Sequence, residues 1–212
     1  YTSQYTLSLH DALPISIAAS VPLGIGASLL MSELDNLIRS IRPLPNWFEV
    51  TFEQLFSQPL LGFFVVVVMA PITEEPLFRG VVLRGLLRRK SAWGACVVSS
   101  LLFALVHVNP PQVVPAFLLG LLLAGIYLRT DSIWPCVWTH AVMNAVPLAA
   151  FGLIPFEIQG LTTPPEVGAF HPLWLDALAV ALFVVGGVWF VAATRGASGK
   201  SGPPEEVEEV TT

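Results

Sequence analysis

The residues of this chain that could do chemistry are Glu74, Glu75 and Arg79, then His107, then His140 and Asn144, and all six lie inside otherwise apolar stretches. An ionisable group in hydrocarbon is costly and is kept where it faces a cavity, a partner or a substrate. Their placement therefore points either to catalysis or to a proton or ion pathway through a membrane. Glu75 and Arg79 are four apart, as are Phe103 and His107, and His140 and Asn144. Positions four apart share a helix face, so each pair presents one surface. The spacing predicts an intramembrane ion pair between Glu75 and Arg79, in which the planar guanidinium fixes the carboxylate. That leaves Glu74 for chemistry. Pro76, directly after the glutamates, predicts a kink or a fresh helix start.

The elements that must position these residues are membrane helices. The chain is 54% hydrophobic and 12% charged, with a mean hydropathy of +0.72, whereas an ordinary soluble domain carries about 25% charge. A transmembrane helix needs about 20 apolar residues, and runs free of Asp, Glu, Lys and Arg occupy 12–32, 54–73, 91–128, 132–156 and 177–194. The third is too long for one crossing. Asn109-Pro110-Pro111 interrupts it, because two prolines remove backbone donors and restrict the residue before them. The expected fold is an all-α polytopic transmembrane bundle with about six spans in this chain.

Helical rise brings the polar residues to one depth. Glu74 lies 16 residues before Lys90 and His107 lies 17 after it, so a turn near Lys90 and Ser91 would set them level on an antiparallel pair. The next hairpin turns at 129–132 and puts His140 and Asn144 roughly 13 to 20 Å along their helix, a similar depth. Four residues, Glu74, His107, His140 and Asn144, are expected to line one cavity.

Basic residues accumulate on the cytoplasmic side. Arg84, Arg88, Arg89 and Lys90 form the densest cluster, and with it inside, Arg129, Arg195 and Lys200 fall on the same side. The segment 152–172, which lacks Lys and Arg, then lies outside. The segment 33–53 is read as an outside loop against the trend, since it carries Arg39 and Arg42.

The chain ends are set apart from the fold. Residues 1–16 lack a membrane pattern, and 6–16 resemble translated adapter read-through, so 1–16 is treated as a non-native segment and the native chain is expected to extend upstream. Residues 17–195 form the membrane domain, with its core at 60–150. Residues 196–212 read as a disordered acidic tail, whose Glu205, Glu206, Glu208 and Glu209 supply most of the net charge of −5. The expected surroundings are a lipid bilayer, with no nucleic-acid partner. Cys96, Cys136, His10 and His171 receive no role. Trp134, Trp138, Trp174 and Trp189 read as interfacial or packing aromatics. Gly120 and Gly125 read as close helix contacts.

Three patterns, Glu74-Glu75-Pro76-Leu77-Phe78-Arg79, Phe103-Ala104-Leu105-Val106-His107 and His140-Ala141-Val142-Met143-Asn144, in this order and inside membrane spans, resemble the intramembrane proteases related to the type II CAAX prenyl endopeptidase. In bacteria that family is grouped with bacteriocin-processing and immunity proteins. The resemblance covers about residues 60–150. It implies an all-helical fold of about eight spans, of which this chain is an N-terminally truncated version, in a bacterial cell membrane. It implies an endopeptidase acting on a membrane protein or peptide. Glu74 would activate water with help from His107, His140 and Asn144 would stabilise the oxyanion, and Glu75 and Arg79 would support them. Members are often labelled metalloproteases, and Glu74, His107 and His140 form an alternative zinc ligand set. The metal-free mechanism is favoured, since Asn144 is a poor zinc ligand and the four groups already supply a base and an oxyanion site. A non-catalytic scaffold or transporter of the same fold is the alternative function.

Overall fold

The computed structural model describes residues 9–42, 44–163 and 169–195. The tail 196–212, Lys200 and residues 1–8 lie outside them, so the expectation of a disordered acidic tail falls on residues beyond those described. The described residues form helices and turns with no strand, an all-α bundle as the composition predicts. In chain order the helices are α1 (Leu9–Ile41), α2 (Glu49–Phe56), α3 (Pro59–Leu87), α4 (Ala92–Leu105), α5 (Pro110–Thr130), α6 (Trp134–Leu153) and α7 (Leu173–Ala193). Five of them are long and apolar enough to cross a membrane; α4, with 14 residues, is the shorter sixth apolar helix.

Three expectations change. The segment 33–53 is not one loop, because α1 continues to Ile41 and α2 begins at Glu49. Its polar residues are paired along the helix, Asp35 with Arg39 at 2.6 Å, which lets the helix outlast its apolar run. Second, the chain does turn ahead of Pro110, but α4 ends at Leu105, so His107 sits in a turn rather than on a helix face. Val108 adopts φ 47°, a left-handed conformation no helix continues through, and Pro110 opens α5. Third, Pro76 starts no separate span, although the helix changes there from α to π. It has no N–H for an α ladder, and α3 passes through it as a wide π stretch, Pro76–Leu83, after an α-helical Ala70–Glu75 and an earlier π stretch, Phe63–Met69.

Without water, apolar attraction does not drive helices together, and close packing through small residues does. α1 and α7 cross backbone to backbone: a Cβ on Gly26 would collide with the Phe183 backbone, and one on Gly186 with the Leu23 backbone. Gly120 of α5 likewise packs on Ser100 of α4, where an added Cβ would stand 2.8 Å from the Ser100 Cβ. Gly125 meets nothing within 4 Å, so only the first of the two expected glycine contacts exists. The core between α1, α3, α4, α5, α6 and α7 is built on Leu23, Leu83, Cys96, Leu123, Cys136 and Phe190. Outward faces carry Leu60, Phe63, Phe64, Val81, Val185 and Val188, all exposed, an apolar exterior that suits lipid and not water. Trp134, Trp138, Trp174 and Trp189 are also exposed.

Candidate active site

Glu75, on α3, has a fully buried side chain. Its Oε1 takes a hydrogen bond from Arg79 Nη1 at 2.9 Å, one turn on, so the ion pair predicted from spacing is formed. The same oxygen lies 2.8 Å from His140 Nδ1 on α6. A carboxylate oxygen only accepts, so Nδ1–H donates and Nε2 is left facing away from Glu75. Arg79, also buried, gives its Nη2 to the Gly120 carbonyl of α5 at 3.0 Å. Glu75 and Arg79 together therefore tie three helices, and a buried pair of this kind is expensive to break from one side, about 3–5 kcal/mol.

Phe103, on α4, fills the space among these groups. Its ring stands edge-on to His107 (5.0 Å between centroids), His140 (5.8 Å) and Phe78 (5.0 Å), and the Arg79 guanidinium lies 4.9 Å from its centroid. Phe103 is thus a packing hub. Although His107 has left the helix, its Nδ1 is 2.8 Å from the Phe103 carbonyl. A carbonyl also only accepts, which puts the proton on Nδ1 and leaves Nε2 with a lone pair.

Glu74 neighbours this network and is only half-buried, but its Oε2 is buried without a hydrogen bond. Asn144 gives one N–H to the Val66 carbonyl, 2.9 Å away in the first π stretch of α3. A cavity of about 420 Å³ is lined in part by Ser28, Asp35, Arg39, Asn109, Gln112 and Pro147. Asn109, two residues past His107, is buried. It holds the α1–α2 connection by accepting from the Trp47 backbone N–H at 3.1 Å and donating to the Asn46 side chain at 3.0 Å.

Zinc does not fit the alternative ligand set as it stands. Among the described residues, the group of three His, Cys, Asp or Glu side chains whose ligand atoms all come within 4.8 Å of one another is Glu33, His171 and Asp176, not Glu74, His107 and His140. What sequence reasoning missed is the set of backbone acceptors, Gly120, Phe103 and Val66, and the hub Asn109. A carbonyl leaves no mark in residue type. Asn109 was visible only as the residue before Pro110-Pro111.

A family model described as type II CAAX prenyl endopeptidase Rce1-like matches residues 56–146, which enclose all six polar residues. This segment is similar to that family. "Putative membrane peptidase YdiL" of Bacillus subtilis (strain 168) is 30% identical to the chain over 77 residues, 36% of this chain and 32% of that protein. The chain thus matches about a third of the length of that relative. No solved structure matches it. With its Rce1-like segment and five long apolar helices, the chain is an integral multi-pass membrane protein.

Proposed function

We propose that this chain is an intramembrane endopeptidase that cleaves a membrane-associated protein or peptide with Glu74 as its general base. The observation that carries the reading is the buried Glu75–Arg79–His140 network beside the unbonded Oε2 of Glu74. It engages one oxygen of Glu75 from two sides as a brace, while Glu74 stays outside the network on a half-buried side chain.

Glu74 takes a proton from a water molecule as the water oxygen attacks the peptide carbonyl, and His107 Nε2 accepts the water's other hydrogen to orient it. The oxyanion that forms is met by the second N–H of Asn144 and by His140 Nε2. For His140 to donate there while Nδ1 donates to Glu75, its ring carries both protons. Glu74 then returns its proton to the leaving amine, which balances the hydrolysis. Glu75 and Arg79 act through His140 and are positioning residues.

The mechanism is proposed without a metal, since the three candidate ligands do not converge. The test compares the purified chain with Glu74→Gln and His107→Ala on a library of membrane-spanning peptides in lipid nanodiscs. Loss of cleavage in both variants, with their helical signal and thermal midpoint kept, supports the reading. Equal cleavage by the variants, or none by the wild type, returns the chain to the scaffold or transporter class.

A further inference from the structure

We propose that Glu33, His171 and Asp176 form a binding site for one zinc ion at the outer end of the bundle, separate from the Glu74 cluster. The three come from different places: Glu33 from α1, His171 from the turn ahead of α7, and Asp176 from the first turn of α7. The His171 side chain is fully buried, while Glu33 and Asp176 keep 24% and 30% exposure, which leaves an entry path.

The contacts are those of acceptors turned on one point. His171 Nδ1 lies 3.2 Å from Asp176 Oδ1 and 3.6 Å from Glu33 Oε2. One ring nitrogen offers at most one proton, and with Nδ1 unprotonated all three atoms are electron-pair donors, as metal ligands must be. No Lys or Arg among the described residues pairs with either, because Arg39 is held by Asp35. Ligands about 2.0 to 2.2 Å from a tetrahedral zinc stand roughly 3.3 to 3.5 Å from one another, and the two observed separations bracket that edge. The imidazole selects against calcium and magnesium, which take oxygen alone.

The supports around the three match what a metal centre needs. His171 Nε2 is 3.2 Å from Ser32 Oγ, a contact that lets Nε2 carry the proton and turns the Nδ1 lone pair to the carboxylates. Glu33 is oriented by Asn36 Nδ2 at 3.0 Å and by the His171 backbone N–H at 2.9 Å. Asn36 also bonds the Gly160 carbonyl, so a bound ion would clamp α1, the 154–163 segment and α7 together. Three protein ligands leave the fourth position to water.

The full chain, stripped with EDTA and dialysed in nanodiscs, is titrated with zinc chloride by calorimetry, and a parallel sample with cobalt by absorbance. The expected result is one ion per chain, a raised thermal midpoint and a tetrahedral cobalt band. Asp176→Asn, which keeps size and hydrogen bonding, and His171→Ala should each weaken binding about 100-fold or more. His107→Ala and His140→Ala should bind as the wild type does. The proposal is overturned if the wild type shows no saturable binding, or if His171→Ala and Asp176→Asn bind normally. Loss of binding in His107→Ala or His140→Ala alone would move the ion to the Glu74 cluster, and would overturn it too.

Discussion

His140 Nδ1 stands 2.8 Å from Glu75 Oε1, the oxygen that also receives Arg79, so an imidazole on α6 and a guanidinium on α3 share one buried acceptor. The adjacent glutamates differ in their partners: Glu75 Oε1 is engaged by its own helix and a neighbour, while Glu74 stands outside that network; each keeps a buried Oε2 with no partner.

The two should separate by substitution. Glu74→Gln keeps the shape and is expected to lower kcat by about 10²-fold or more while leaving the thermal midpoint in place. Glu75→Gln is expected to lower stability by about 3 kcal/mol, because Arg79 and His140 lose their anion. Cleavage rates and thermal unfolding of both variants, measured in the same lipid, check this. An unaltered midpoint in Glu75→Gln would sink the brace.

Gly120 carries the carbonyl that takes Arg79 and packs on Ser100. Gly120→Ala places a Cβ 2.8 Å from the Ser100 Cβ and 2.9 Å from its Cα. Since Cα cannot swing aside, α4 and α5 must part, at a cost of about 1–3 kcal/mol. Gly125→Ala, with nothing within 4 Å, should be neutral in the same thermal scan. Adding Ser100→Gly to Gly120→Ala should recover part of the loss.

Helix number and the Glu75–Arg79 pair were legible because both depend on spacing along one helix, and rise and periodicity are fixed by the backbone. His140 joining Glu75 was not, because partner choice between adjacent carboxylates depends on the rotation of α3. That rotation is set by π turns on both sides of Ala70–Glu75, which no residue pattern announced. His107 was placed on a helix because Phe103 lies four before it. The left-handed Val108 and the prolines beyond ended α4 at Leu105, yet the Nδ1 contact to the Phe103 carbonyl keeps the two side chains together. His171 was passed over as a loop residue, since its partners come from 138 residues earlier and five later.

The crossing of α1 and α7 makes a paired test. Gly186→Ala sets a Cβ against the Leu23 backbone and should destabilise the chain by about 1–3 kcal/mol, whereas Gly187→Ala finds its nearest atom at 4.0 Å. Thermal midpoints that drop equally would show that the two helices do not cross there.

Chelation distinguishes the two polar centres. With the protein held well below its midpoint, EDTA should leave peptide cleavage unchanged, because Glu74, His107 and His140 do not converge as ligands. It should lower the thermal midpoint if zinc is bound by Glu33, His171 and Asp176, and zinc should restore it. Cleavage that disappears with EDTA and returns with one equivalent of zinc would refute the metal-free mechanism.

Val108, between His107 and Asn109, is exposed and holds φ 47°. A β-branched residue pays about 1–2 kcal/mol for the left-handed region, and glycine occupies it freely at an added unfolded-state cost of about 0.5–1 kcal/mol. Val108→Gly should therefore raise stability by up to about 1 kcal/mol. The turn stays where it is in the wild type because Asn109 grips Asn46 and Trp47 on one side and His107 holds the Phe103 carbonyl on the other. If that strain serves to aim His107, the freer glycine backbone will cost activity, and kcat should fall while KM is kept. A variant that is less stable than the wild type would show that the turn is not strained, and an unchanged kcat would show that it does not aim His107.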